Sequence, residues 1–333
     1  MLRIFFSTQD VARTRVAPAP DPVWELVLSL HLLQGRVRDP TMAGWRRTVW
    51  RSIRRQNDSE RFRLLFALTP PRGYFPDFLT PYEGLQGLDA GLEAVAATPT
   101  AMLRRDLGLL ARDNVLPISA VRLARGEVAM RRHLVDSMRR YHATAIAPYW
   151  KRIRTAIEAD RNRRARAFLN GGTEGLLASL DSLRWESGVL EVPDYPTTRE
   201  LHLDDRGLLL IPSFFCMHRP VALFDPALPP VLVYPVDRLG GLGKPTDAAY
   251  GPGQEEHARE ALAALLGRTR AQVLEVVNEG CSTGEAARRL AISPAAVSQH
   301  TAVLRNAGLL VSQRERNTVR HTLTPLGRAI LNR

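Results

Sequence analysis

The side chains best placed to hydrogen-bond an outside partner lie in the segment from Ser293 to Arg305. Ser293 and Pro294 mark a helix start, because serine caps a helix and proline fits its first position. One face of this helix holds the residues that can pack inward, Val297, Thr301, Leu304 and Gly308. The opposite face carries small and hydrogen-bonding residues, which suit close approach to the edges of nucleic-acid bases: Ala295, Ser298, Gln299, Ala302 and Arg305.

A group of arginines follows this helix. Alternating apolar residues over 309–313 and 319–323 predict two strands joined by a tip at 315–318. The hairpin carries Arg314, Arg316 and Arg320, whose charges can hold phosphate groups beside the helix. Residues 282–333 include eight arginines and two glutamates, a local charge of +6. That balance favours a polyanionic partner.

The elements that position the helix are marked by their own caps. Ser282 followed by Glu285 forms a capping box, so a short helix begins there and ends near Ala291. Because the next helix starts at Ser293, the turn spans only 291–293, and this arrangement defines a helix-turn-helix. Further helices are predicted over 255–266 and 269–277 and from Thr324 to the end of the chain.

The run SPAAVSQHTAVLRNAGLL closely resembles the recognition helix of ArsR-type winged-helix regulators, including Ser298, Gln299, His300 and the ending from Leu304 to Leu309. The resemblance implies a homodimer that binds an operator repeat in double-stranded DNA, with half-sites about one helical turn apart. It also implies a repressor that an effector releases. The residues expected to contact DNA are Ser293, Ala295, Ser298, Gln299, His300, Arg305, Arg314, Arg316 and Arg320.

The sequence departs from that family where metals are concerned. The cysteine-containing metal motif of the helix before the recognition helix is absent, and only Cys281 lies nearby. We therefore expect no metal and no other cofactor. His202, Cys216 and His218 could converge on the small sheet as metal ligands, because Cys216 and His218 would share one strand face, although packing of these residues is the favoured alternative. The two cysteines are too few for a disulfide framework, which fits a reducing cytoplasm.

The chain as a whole predicts an α+β protein. Residues 1–234 form a mainly helical N-terminal domain with a small β-sheet, 235–254 a Gly- and Pro-rich linker, and 255–333 a C-terminal winged helix-turn-helix. Apolar periodicity predicts helices over 21–35, 42–55, 88–96, 100–112 and 126–169, with a kink or break in the last one at Pro148. Past Gly171 and Gly172 a short further helix is expected to end near Leu183.

Strands are predicted over 2–6, 189–192, 200–203, 208–216, 221–224 and 231–234, forming a small sheet packed on the helices. Four prolines and a glycine among aromatic residues make 67–82 a rigid loop. These elements leave the N-terminal domain large enough to bind an effector or to build the dimer.

The N-terminal part also resembles a known domain. PVWELVLSLHLL, PPRGYFPDFLTP, APYWKRI and RGLLLIPSFF are similar to the long domain that precedes the winged helix in a subgroup of these regulators from GC-rich bacteria. Aromatic residues of this domain could wall a pocket for a small-molecule effector, although core packing is the favoured alternative. They are Trp24, Tyr74, Phe75, Phe78, Tyr149 and Trp150.

Two other function classes stay open as alternatives. One is an enzyme with a catalytic N-terminal domain, in which the winged helix serves assembly; the other is a nonspecific DNA-binding protein. The segment 280–284 matches the pattern of a nucleophile elbow around Ser282, but a helix precedes it where that chemistry needs a strand. Ser282 is therefore predicted as a helix cap, and we expect no enzymatic activity.

Composition sets the remaining bounds. The net charge is +12 and the pI is about 10.6, so the field of the whole protein favours polyanions. No segment approaches the roughly 20 apolar residues that span a bilayer, so we expect no membrane partner. The expected location is the cytoplasm, and the expected partner is double-stranded DNA.

Overall fold

The computed structural model describes residues 1–35, 39–217, 219–238, 242, 262–315 and 318–331. Contacts divide the chain into two compact units, Met1–Asp247 and Ala248–Arg333. Each unit combines helices with strands, which confirms the α+β class. The predicted linker lies largely outside the described residues, but 235–238 and 242 belong to the first unit. There Val236 and Leu242 are buried in the core.

The helices of the first unit follow the predicted order, with additions. Capping explains the start of α2, because the Asp21 carboxylate accepts hydrogen bonds from the amides of Val23 and Trp24, and Pro22 takes the first position. The helices are α1 (Thr8–Arg13), α2 (Pro22–Gln34), α3 (Pro40–Arg55), α4 (Arg63–Leu68), α5 (Leu88–Ala97), α6 (Thr100–Leu110), α7 (Ile118–Ala124), α8 (Val128–Ala145) and α9 (Trp150–Ala178).

The predicted break at Pro148 is confirmed. Pro148 lies in a short 3-10 turn, Ala147–Tyr149, between α8 and α9. The short helix expected after Gly171 and Gly172 is present, because the stretch labelled α9 consists of two helices that meet at a kink at these glycines. The second helix ends at Ala178, before the expected end near Leu183. Gly172 absorbs that kink with a φ of +61°, a conformation that glycine adopts without steric cost.

Sequence patterns missed three short helices. Ser7 and Asp10 form a capping box that starts α1, a signal that was present in the sequence. Neither α4 nor α7 has a side-chain cap, so nothing local marks where they begin. The rigid loop predicted over 67–82 does contain irregular chain and the 3-10 turn Asp77–Leu79, and a second such turn covers Tyr82–Gln86.

The first unit contains two four-stranded sheets where the sequence predicted one small sheet. Their strand orders are β3-β4-β1-β5 and β2-β6-β8-β7. The N-terminal strands divide the sheet in two, because β1 pairs with β4 and β5 while β2 pairs with β6. The strands are β1 (Leu2–Phe5), β2 (Arg15–Val16), β3 (Arg184–Glu186), β4 (Val189–Val192), β5 (Arg199–His202), β6 (Leu209–Ser213), β7 (Val221–Ala222) and β8 (Val231–Pro235).

The described part of the second unit packs helices around a short sheet with the strand order β10-β11-β9. Its core is formed by apolar side chains such as Leu274, Val297, Leu304 and Leu310. Of the helix predicted over 255–266, residues 262–266 are helical and the rest lie outside the described residues. The elements are α10 (Arg268–Val276), β9 (Cys281–Ser282), α11 (Thr283–Leu290), α12 (Pro294–Asn306), β10 (Leu310–Glu315), β11 (Thr318–Leu323) and a final helix α13 (Pro325–Leu331).

Within the ranges that the structure describes, none of the helices combines the length and the apolar character needed to cross a membrane.

Candidate nucleic-acid interface

Two capped helices and a three-residue connection form the centre of the site. The Ser282 hydroxyl accepts a hydrogen bond from the Glu285 amide, and the Glu285 carboxylate accepts one from the Ser282 amide at 2.8 Å, so the predicted capping box is confirmed. Ala291 ends α11 in the left-handed region, with a φ of +54°. The Ser293 hydroxyl then accepts a hydrogen bond from the Ala296 amide and starts α12.

The inner face of α12 packs as the sequence predicts. Val297, Thr301 and Leu304 are each at most 3% exposed. The Thr301 hydroxyl donates to the Ser298 carbonyl, so burial leaves its polar atom satisfied. Gly308 was expected on this face but is exposed. It lies past the helix end with a φ of +70°, where it reverses the chain into β10.

The outer face of α12 is open to solvent. Ser293, Ala295, Ser298, Gln299 and Arg305 are exposed, whereas His300 and Ala302 are half-buried. No carboxylate is among the α12 side chains, whose sequence is PAAVSQHTAVLRN. The face therefore offers hydroxyl, amide and guanidinium groups on a helix that its opposite side holds in place.

Beside this helix the hairpin of β10 and β11 carries two described arginines. Strand pairing sets Gln313 opposite Arg320 and Arg314 opposite Val319. Both arginines are exposed, and Arg320 donates to the Gly280 carbonyl at 3.4 Å. Arg316, predicted as a third contact, lies outside the described residues. The positive charge of this hairpin is thus presented at the surface.

His321 is a residue of this unit whose role the sequence did not reveal. It is buried on β11, where its Nε2 lies 2.9 Å from the Thr283 hydroxyl and its Nδ1 lies 2.8 Å from the Ser312 hydroxyl. Burial lowers the pKa of His321, and the positive charge of Arg305 lowers it further. The imidazole joins Thr283, the first residue of α11, to Ser312 on β10, so it fixes the hairpin against α11.

The two candidate metal ligands that the structure describes belong to different parts of the first unit, because His202 is on β5 of one sheet and Cys216 follows β6 of the other. His202 is exposed and stacks on Phe5, while Cys216 follows the end of β6 and its thiol lies 3.2 Å from the Arg219 carbonyl. His218 lies outside the described residues. Burial raises the pKa of both cysteine thiols, Cys216 and Cys281, which disfavours the thiolate that metals require. Among the described residues no group of three or more potential ligands could hold a metal ion.

The aromatic residues considered as pocket walls belong to the core. Trp24, Phe78 and Tyr149 are buried, and Tyr74, Phe75 and Trp150 pack against the same core in half-buried positions. Trp24 and His31 both contact the Phe75 ring edge-on. These contacts agree with the packing alternative.

Comparisons with known proteins leave the family open. No family model matches the chain, and no curated protein matches it. Among solved structures, the chain is similar to reduced HlyU from Vibrio cholerae N16961, at 30% sequence identity. That similarity covers 24% of this chain and 88% of HlyU, with a TM-score of 0.20. At this TM-score the likeness does not by itself establish a shared fold.

Proposed function

We propose that this chain is a sequence-specific DNA-binding transcriptional regulator and not an enzyme. In this proposal the second unit is a winged helix-turn-helix, α12 enters the major groove, and the hairpin of β10 and β11 is the wing. The observation that carries the proposal is the division of α12 into a buried apolar face and an exposed polar face.

The exposed side chains match the chemistry of a base edge. Gln299 can both donate and accept, as the paired N6 and N7 atoms of adenine require, and Arg305 can donate to guanine. Ser298 can do either, and Ala295 is small enough to allow close approach. The inner residues Val297 and Leu304 hold this face in one orientation, so the reading groups are ordered before DNA arrives.

Charge supports the same partner. Arg305, Arg314 and Arg320 are exposed on neighbouring elements. On α11 the Glu285 carboxylate is held in the capping box, and hydrogen bonds from Ser282 lower its pKa. Arginine side chains at such positions bind phosphates and set the register of the protein on the duplex. We assign this role to Arg314 and Arg320, and we assign Arg316 to it from the sequence alone.

The sequence resemblance of 293–310 to ArsR-type recognition helices extends the proposal to the assembly and the sign of regulation. We infer a homodimer on a symmetric operator with half-sites about one helical turn apart. We also propose that the protein represses transcription and that an effector releases it from the operator by binding to the first unit. A cytoplasmic location follows from such a role.

The proposal is tested by recovering the genomic fragments that the full-length protein retains and measuring anisotropy with one recovered site and a shuffled duplex. We expect two chains per site and an affinity at least about 1,000-fold higher for the site than for the shuffled duplex. Gln299→Ala should weaken site binding at least about tenfold, with little change on the shuffled duplex. Gln272→Ala, at an exposed position of α10, is the matched control and should change neither affinity.

Equal affinity for the two duplexes would replace this proposal with a nonspecific DNA-binding protein. Failure to retain any duplex at low salt would reject DNA as the partner, because phosphate contacts are strongest under that condition.

A further inference from the structure

A cavity of about 360 Å³ opens on the first unit where β2 runs beside β6. Three arginines from separate segments line it: Arg13 from the end of α1, Arg15 from β2, and Arg206 from the connection between β5 and β6. Leu209 and Pro230 contribute apolar surface. The volume lies within the range of about 300–1,000 Å³ that is typical of small-molecule sites.

Uncharged oxygen atoms hold the three guanidinium groups. Arg15 donates to the Tyr82 hydroxyl at 2.6 Å, and Arg13 donates to the Asp205 carbonyl at 2.6 Å. Arg206 donates to two carbonyls of the 225–230 segment, at 2.8 and 3.1 Å. Such contacts fix the orientation of a guanidinium group but leave its positive charge in place.

Few carboxylates are placed to balance the charge of these three arginines. Arg206 has the exposed Asp204 carboxylate 3.6 Å away, and the Asp205 carboxylate accepts from the Ser7 hydroxyl. Across the described part of the chain, Arg13 and Arg15 form no ion pair, and no carboxylate is among the residues that line the cavity. The cavity therefore combines ordered positive charge with apolar surface.

We propose that this cavity binds a small organic anion whose carboxylate or phosphate group meets Arg13 and Arg15 while its apolar body covers Leu209 and Pro230. Guanidinium groups suit both anions because their parallel N–H donors match two oxygens at once. The role of this anion as the effector rests on the proposed function. Its binding does not, since binding is measured on the full-length protein without DNA.

The test uses saturation-transfer NMR at constant ionic strength, with benzoate and phenyl phosphate as anionic probes and benzamide as the neutral analogue of benzoate. We expect saturable binding of at least one anion and at least tenfold weaker binding of benzamide. Arg15→Gln should weaken anion binding at least tenfold, because it removes a charge whose one described side-chain contact is Tyr82. Arg51→Gln, at an exposed position of α3 outside the lining, should leave binding unchanged.

Equal binding of benzamide and benzoate, or an equal loss in Arg15→Gln and Arg51→Gln, would overturn the proposal, because the protein's general charge would then explain the result. Absence of saturable binding for both anions would overturn it as well. Anion binding without any retention of DNA would support the cavity and reject the proposed function, so the two failures are distinguishable.

Discussion

The two units treat charged side chains in opposite ways. The first unit buries carboxylates such as Asp21, Glu25 and Asp160, which accept hydrogen bonds from backbone amides or from Arg164. In the described part of the second unit, the buried polar side chains are Thr301, which carries no charge, and His321, whose pKa is lowered by burial. Arginines of this unit such as Arg305, Arg314 and Arg320 are exposed. Buried charge in the first unit therefore bears on stability, whereas the exposed arginines of the second unit are accessible to a partner.

The largest expected effect breaks the buried ion pair of the first unit. Asp160 accepts from Arg164 at 2.8 Å and from the Tyr234 hydroxyl at 2.7 Å, and both charged side chains are at most 4% exposed. Asp160→Ala leaves a buried guanidinium without its carboxylate, so we expect a loss of about 3–5 kcal/mol in the free energy of unfolding. Urea unfolding measures it, with the exposed Asp136→Ala as control at less than about 0.5 kcal/mol. Similar losses in the two variants would contradict a role for buried charge.

The next effect concerns pH. Burial raises the pKa of Asp21 from its ordinary value of 3.8 to about 7, and its Oδ2 has no hydrogen-bond partner in the described structure. A carboxyl whose folded pKa is raised stabilises the fold below its unfolded pKa, and this contribution is lost as pH rises through the folded pKa. Asp21→Asn keeps the capping oxygen and cannot ionise.

We therefore expect Asp21→Asn to match the parent protein near pH 4 and to exceed its free energy of unfolding by about 4 kcal/mol at pH 8. Glu25, one turn along α2, also has a pKa raised to about 7 by burial, and the Asp21 charge adds to that rise. Asp21→Asn therefore removes the cost of ionising Asp21 and also reduces the cost of ionising Glu25. Urea unfolding at pH 4, 6 and 8 measures the difference. A difference that does not vary with pH would show that Asp21 does not titrate in this range.

The smallest expected effect on stability is in the second unit. Arg314→Gln should change the free energy of unfolding by less than about 0.5 kcal/mol, because the side chain is exposed. Under the proposed function it should instead reduce the slope of log affinity against log salt by about 1, the loss of one phosphate contact. Arg51→Gln is the control that should leave this slope unchanged. A large loss in the free energy of unfolding of Arg314→Gln, together with an unchanged salt slope, would show that Arg314 stabilises the fold and does not bind a phosphate.

Local signals explain which parts of the fold were predictable. The caps at Ser282 and Ser293 mark α11 and α12 within a few residues, so the turn and the two faces of α12 followed from the sequence. The hairpin followed from alternation and lies where it was predicted. The two sheets of the first unit did not follow, because β1 pairs with residues almost 200 positions away, as in Phe5 with His202.

The same reason applies to the sites that the sequence missed. His321 lies two residues before Leu323 on β11, so the alternation predicts that both face the same side. Nothing local shows that the hydroxyls of Thr283 and Ser312 would meet the two nitrogens of His321. Arg15 and Arg206 share a cavity only because the parallel pairing of β2 with β6 brings their segments together. Contacts of this kind depend on the tertiary fold, whereas caps and alternation depend on neighbours in the chain.

The most direct test of the central claim locates α12 on DNA. The two native cysteines are buried, so Ala295→Cys provides an exposed thiol that keeps Gln299 intact and can carry an iron-EDTA cleavage reagent. We predict cleavage of a recovered site in two clusters about one helical turn apart, and no cleavage from the same reagent at Gln272→Cys. Uniform cleavage along the duplex, or equal cleavage from both positions, would contradict the claim that α12 reads the groove.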